Sequence, residues 1–235
     1  VRFKMVKLYK NFNINKNHKG SIILIGNFDG VHLGHQRLFK LAQSYKKKYS
    51  LKIGVVNFDP MPKMFFNQSL KNFRLSSVDQ KIDLLNNLGV DFIATKKFDK
   101  IFSKTKSINF IKDILYQKLN AKFIFVSNNF RFGNKREGDV NLLIKNEKKY
   151  KYKVVEPKPL IVKKKVVSST LIRNLLENGF LEKANKLLSR NWSIVGIVQK
   201  GRQIGKKIGF PTCNISIKDY VLAKPGVYAV KVLRK

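Results

Sequence analysis

Four consecutive apolar residues, Ile22-Ile23-Leu24-Ile25, lead without a polar break into a glycine-bearing turn, Gly26-Asn27-Phe28-Asp29-Gly30-Val31-His32-Leu33-Gly34-His35. A strand this uniformly apolar has no solvent face, so it belongs inside a parallel sheet covered on both sides. A helical pattern, Gln36 to Ala42, follows at once and extends to about Lys48. The turn therefore joins a buried strand to a helix. In an open α/β sheet, ligands bind at such carboxyl-edge turns, near the topological switch point.

The rest of the first 188 residues repeats this grammar. After a lead-in strand and turn up to Gly20, strand-like runs occur at Leu51–Phe58, Val90–Ala94, Lys122–Val126, Tyr152–Glu156 and Leu160–Val167. Between them, Ser77-Val78-Asp79-Gln80 is a capping box opening a helix with Ile82, Leu84, Leu85 and Leu88, which stops at Gly89. Ser107 starts another helix, with Phe110, Ile111, Ile114, Leu115 and Leu119 on one side. Asp59-Pro60-Met61-Pro62 enforces an extended loop, and a polar loop runs from Ser127 to Gly138 before a helix that Asp139 caps. The alternation predicts an α/β, Rossmann-like, doubly wound domain. Ser168-Ser169-Thr170 opens a helix through Leu176, and a second runs from Leu181 to Leu188.

Ser189-Arg190-Asn191 marks a boundary, which divides the chain into residues 1–188 and 189–235. Beyond it, Trp192–Val198, Asn214–Ile217 and Val227–Leu233 are strand-like, and Gln199–Gly209 is a Gly/Lys loop. A stretch this short buries little core alone. It is expected to pack on the first domain, or to belong to an incomplete chain.

The formal charge of +35 raises the possibility of a nucleic-acid binder. The lysines, however, are dispersed along the whole chain, and Lys, Asn, Ile and Phe are all abundant. Composition bias accounts for this better than a binding stripe. A single cysteine, Cys213, excludes an internal disulfide and a cysteine-based zinc site. No apolar run approaches the ~20 residues that span a bilayer, and the N-terminus lacks a signal-peptide core. A soluble cytoplasmic protein is expected.

Glycines at 26, 30 and 34 let the backbone approach a ligand, and the helix start attracts phosphate. His32 and His35, three residues apart, can donate together to phosphate oxygens and neutralise departing pyrophosphate. Zinc is the weaker alternative, because two histidines leave its coordination shell short. Asp29 is the nearest acid and is free to cap the helix. His18, between Asn, Lys and Gly, is expected in a solvated loop. Ser169 and Thr170, at a helix start, can hold phosphate, and Arg173 one turn later offers a bidentate fork. Phe130 and Phe132 flank Arg131, which suits either a platform for a flat ring or core packing.

The turn resembles the nucleotide-binding signature of the bacterial bifunctional riboflavin kinase/FAD synthetase family, within the His-x-Gly-His nucleotidyltransferases. Three further stretches match in order: Phe58-Asp59-Pro60-Met61-Pro62, Asn129-Phe130-Arg131-Phe132-Gly133 with Arg136 and Gly138-Asp139, and Val167-Ser168-Ser169-Thr170-Leu171-Ile172-Arg173. The resemblance implies transfer of AMP from ATP to FMN, giving FAD and pyrophosphate with Mg²⁺. It implies that Gly26, Asn27, Phe28, Asp29, Gly30 and Gly34 bind ATP. His32, His35, Ser169, Thr170 and Arg173 would be catalytic, and Pro60, Asn129, Phe130 and Arg131 would face the flavin. Ser127 departs from the family's usual glycine. Gly209-Phe210-Pro211-Thr212-Cys213-Asn214 resembles the riboflavin kinase domain, a small β-barrel. There Gly205, Lys206, Gly209 and Pro211 would bind ATP, and Thr212 and Asn214 would offer oxygens to Mg²⁺. The family places its catalytic glutamate beyond the stretch ending at Lys235, so kinase activity is expected to be absent or crippled in this chain. The implied partners are small molecules, ATP, FMN and riboflavin, with no specific nucleic acid or membrane; the sequence does not fix the oligomeric state. The rival reading within the superfamily is a nucleotidyltransferase acting on nicotinate mononucleotide or phosphopantetheine.

Overall fold

A computed structural model describes residues 5–201 and 209–233. In chain order these begin β1 (Lys7–Tyr9), β2 (Ile22–Ile25), α1 (Leu33–Tyr49), β3 (Ile53–Asp59), α2 (Pro62–Phe66), α3 (Val78–Asn87) and β4 (Phe92–Lys97). Next come α4 (Ser107–Asn109), β5 (Phe123–Phe125), β6 (Arg131–Phe132), β7 (Gly138–Asp139), α5 (Val140–Lys145), α6 (Glu147–Tyr150) and β8 (Lys153–Val155). The chain continues through β9 (Ile161–Val162), β10 (Lys165–Val166), α7 (Ser169–Glu177), α8 (Leu181–Leu188), β11 (Val198–Gln199) and β12 (Asn214–Ile215).

Six strands form one parallel sheet in the order β1-β4-β3-β2-β5-β8. From β2 the chain steps to β3 and then β4, and afterwards crosses to β5 on the other side of β2. The loops after β2 and β5 therefore diverge, and a crevice opens between them at the switch point. All four residues of β2 are buried, as their lack of a polar face requires. Ile22 and Leu24 pack under α1 and α3 with Phe39, Ala42, Val55 and Leu85. Ile23 and Ile25 face the opposite layer with Val56, Ala94, Ile111 and Leu115. A third apolar cluster joins Leu75 and Val167 to α7, α8 and Val221.

The Ser77–Gln80 capping box forms with both reciprocal hydrogen bonds, and Asp139 caps α5 through Leu142. Four expectations are corrected. The helix from Ser107 widens into a π-helix over Phe110–Lys118. Buried residues at 110, 111, 114, 115 and 119 recur every four to five positions, which suits i→i+5 bonding better than an α-helix. His18 is not solvated: it is buried, its Nδ1 lies 2.7 Å from the Tyr9 hydroxyl, and its ring stacks on Phe92. Leu160–Val167 folds back on itself as the β9–β10 hairpin instead of adding a strand to the sheet. In the second region, Trp192–Val198 contributes only its last residue to β11, and Val227–Leu233 forms no strand among the described residues. The β11–β12 pair is antiparallel, and nothing described pairs with Val227–Leu233.

Candidate active site

The turn after β2 is held open by its backbone. Gly30 has a φ of +76°, and a Cβ there would lie 2.8 Å from Leu75 Cδ1, so only glycine fits. Gly34 brings α1 against the segment entering α7: a Cβ would sit 3.1 Å from the His32 ring and 3.2 Å from the Val167 carbonyl oxygen. The first turns of α1 and α7 thus face the same space, and both direct the positive ends of their helix dipoles into it.

His32 is the N-cap of α1, its Nδ1 accepting from the His35 amide at 3.4 Å. Asp29 does not cap the helix, because its carboxylate points the other way, to Leu75 and Ser76. The two imidazoles stack with centroids 3.7 Å apart, and Phe28 packs edge-on against His35. Burial, reinforced by Arg173 and Arg190, pushes His32 down to about 4. Burial and then His32 hold His35 well below the ordinary histidine value. Both rings are therefore neutral near pH 7. Among the described residues His35 Nδ1 and Asn27 Oδ1 are buried without a hydrogen-bond partner, which leaves polar capacity at the turn for a ligand.

Asp29 is the hub behind this turn. Its carboxylate accepts from the amides of Leu75, at 3.0 and 3.1 Å, and Ser76, at 3.3 Å. It also pairs with Arg173 Nη2 at 2.5 Å. Arg173 Nε donates to the Phe73 carbonyl at 2.6 Å, and the guanidinium lies over the Phe73 ring. The structure thus corrects the free phosphate fork expected of Arg173, whose side chain is committed within the fold. The reason is burial: Asp29 is sealed behind the turn and requires a cation there. Ser168, not Ser169, is the N-cap of α7. Ser169 donates its hydroxyl to the Asp29 carbonyl at 2.9 Å, which ties α7 to the turn. Thr170 is exposed at the helix start, with no hydrogen bond from its hydroxyl to a described residue.

A strap that no local sequence pattern marks surrounds this hub. Arg190 donates to the Gly30 carbonyl at 2.7 Å, and Gln36 donates to the Val31 and Leu188 carbonyls. Trp192 Nε1 donates to the Leu75 carbonyl at 2.9 Å. Arg190 stands at the boundary between the two regions, and its only local signal is its proximity to α8.

Across the switch-point crevice lies a cavity of about 380 Å³ lined by Asn128, Asn129, Arg131, Arg136, Asp139 and Glu156. Ser127 donates to Asn129 Oδ1 at 2.9 Å, and Arg131 pairs with Asp139 at 3.2 Å. Phe132 is buried in the core, with Phe130 stacked against it, so the pair is largely a packing element. Pro60 instead follows Phe58, which belongs to an aromatic cluster with Phe65, Phe66, Phe98 and Phe102. Phe66 is 70% exposed there, and no local sequence pattern marks it.

In the second region Gly205 and Lys206 lie outside the described residues. Gly209, Pro211, Thr212 and Asn214 are exposed. Among the described residues no three His, Cys, Asp or Glu side chains cluster as metal ligands, and no helix is long and apolar enough to cross a membrane.

Residues 14–171 match the family model for FAD synthetase, and residues 188–235 that for riboflavin kinase. A bifunctional riboflavin kinase/FMN adenylyltransferase of Buchnera aphidicola subsp. Schizaphis graminum is 42% identical over 94% of this chain and 71% of its own length. The Escherichia coli K12 protein of the same description is 37% identical over 92% of this chain and 69% of its own. A crystal structure described as a macrolide-efflux protein from Streptococcus pneumoniae superposes with a TM-score of 0.82 at 26% identity, covering 96% of this chain and 73% of that one.

Proposed function

The chain belongs to the bifunctional riboflavin kinase/FMN adenylyltransferase family, and on that premise we propose that residues 1–188 make FAD from FMN and ATP. The observation that carries this reading is the stacked, neutral His32–His35 pair at the start of α1, beside the start of α7 at the switch point.

A 5′-phosphate oxygen of FMN attacks the α-phosphorus of ATP. The bond from that phosphorus to the bridging oxygen breaks, and pyrophosphate leaves with the electron pair. No side chain need become covalently attached. His32 and His35 donate ring N–H groups to the triphosphate as charge builds on the leaving oxygens. Thr170 and the free amides at the start of α7 support the same phosphates. Gly26, Asn27, Phe28, Gly30 and Gly34 shape the cradle. Asp29, Arg173 and Ser169 are positioning residues that hold it. The flavin ring lies on the Pro60 and Phe66 side, with Asn129 and Arg131 at the opposite rim.

Residues 189–235 belong to the riboflavin kinase region, in which Gly205, Lys206, Gly209 and Pro211 would bind ATP. Thr212 and Asn214 are neutral oxygen donors two residues apart, which suits Mg²⁺ already held by phosphate oxygens. Such an enzyme works in the cytoplasm, on small molecules.

The test is to supply Mg²⁺-ATP with FMN, nicotinate mononucleotide or phosphopantetheine and to measure pyrophosphate and the adenylylated product. FAD from FMN alone is expected. Pyrophosphate release with either other acceptor and none with FMN would overturn the reading.

A further inference from the structure

Lys81 sits on α3, one turn inside its start, and is only 6% exposed. Its backbone amide donates to the Ser77 carbonyl at 3.1 Å, but its ammonium makes no ion pair with a described residue, and a charge in so little solvent favours a partner. Burial, and then Arg74, lower its pKa below the ordinary lysine value, while Asp29 and Asp59 act in the opposite direction. Both carboxylates are committed elsewhere, Asp29 to Arg173 and Asp59 to Arg74. The Lys81 charge is therefore surplus to the fold's own pairing.

Its location gives that surplus a use. Leu85, the next buried residue of α3, packs in the same cluster as Val55 of β3. As the crossover from β3 to parallel β4, α3 runs back along the sheet, so one turn towards its start moves about 5.4 Å towards the carboxyl edge. Two residues along a strand cover roughly 6.6 Å, and from Val55 they lead to Asn57 on the same face. Asn57 is 2% exposed, and its Oδ1 is buried without a partner. An unspent donor and an unspent acceptor thus share one level at the carboxyl edge. Asp29, in the nucleotide turn, lies to one side, and Asp59, beside Pro60, to the other. Adenylyl transfer requires the acceptor's phosphate to stand between those two half-sites.

We infer that Lys81 and Asn57 form the subsite for the phosphorylated end of the acceptor's polyol chain, an inference that rests on the adenylyltransferase reading. The ammonium donates to the phosphate oxygens. Asn57 Oδ1 accepts from a neighbouring ribityl hydroxyl. The pair selects a polyol phosphate over a plain alkyl phosphate.

The experiment compares wild type, Lys81→Met, Lys81→Arg and Asn57→Leu. It measures FMN binding by flavin fluorescence, KM for FMN and for ATP, and melting temperature. The probes are FMN and a flavin bearing a phosphopentyl chain without hydroxyls. Lys81→Met should weaken FMN binding at least about tenfold and leave ATP KM within about twofold, with a melting temperature equal to or above wild type. Lys81→Arg should recover part of the loss. Asn57→Leu should erase the preference for FMN over the deoxy analogue. An unchanged FMN affinity in Lys81→Met overturns the inference. So does a matched loss for FMN and ATP with a lower melting temperature, which is the signature of a structural counter-ion. A wild-type protein that binds FMN but makes no FAD sinks the adenylyltransferase reading instead.

Discussion

The two regions of the chain are stabilised in different ways. The first hides its apolar residues in two layers about a six-stranded sheet, with Ile22, Ile23, Leu24, Val55 and Val56 at 0% exposure. The second leaves Val195, Ile197, Phe210, Val227, Val230 and Leu233 in solvent, and among its described residues only Tyr220 and Val221 are buried. Those two lean on the first region: Val221 donates to the Arg74 carbonyl, and the Tyr220 hydroxyl donates to Gln80 at 2.7 Å. They meet the same segment, Phe73 to Ser76, that Asp29 clamps from behind. Through these contacts the described residues of the second region take their order from the first and reinforce the wall of its site.

That asymmetry can be broken most severely at Asp29. Asp29→Ala leaves Arg173 buried without its carboxylate and frees the amides of Leu75 and Ser76. The expected cost is about 3–5 kcal/mol, seen as a lower urea midpoint. A loss below about 1 kcal/mol would show that the clamp does not secure the wall on which the second region leans.

Acid comes next. His32 titrates at about 4 when folded and at 6.5 unfolded. Its contribution is complete above pH 6.5 and is lost as pH falls towards 4, about 3 kcal/mol in all. Unfolding free energy measured from pH 7.5 to 4 should decline through that window. In His32→Asn the decline should be shallower.

Trp192→Phe removes one hydrogen bond, to Leu75, at about 1 kcal/mol. Limited proteolysis should then cut residues 193–201 faster while leaving the sheet intact. The smallest effect belongs to Val227→Ser, at a position 103% exposed, and should stay within about 0.5 kcal/mol. A larger loss would give the second region a core of its own.

The sheet was legible because β2 has no polar face and the Ser77 capping box is a local device. The His32–His35 motif was legible for the same reason: its parts lie within one turn. What escaped depends on long-range partners. Arg173 is 144 residues from Asp29, so nothing near it in sequence shows that its charge is already engaged. His18 looked solvated because its neighbours are polar, yet Tyr9 and Phe92 enclose it. Lys81 was one lysine among many, and only its burial distinguishes it. The strand-like valines after Tyr228 obey a local pattern, but a strand needs a partner.

The central claim is that His32 and His35 drive adenylyl transfer at the end of β2. The direct measurement is FAD formed from FMN and Mg²⁺-ATP by the His32→Asn, His35→Asn double variant, with circular dichroism confirming the fold. Asparagine keeps a good helix cap. The account predicts a fall of at least roughly a hundredfold in kcat with the fold retained; FAD synthesis at the wild-type rate would contradict it.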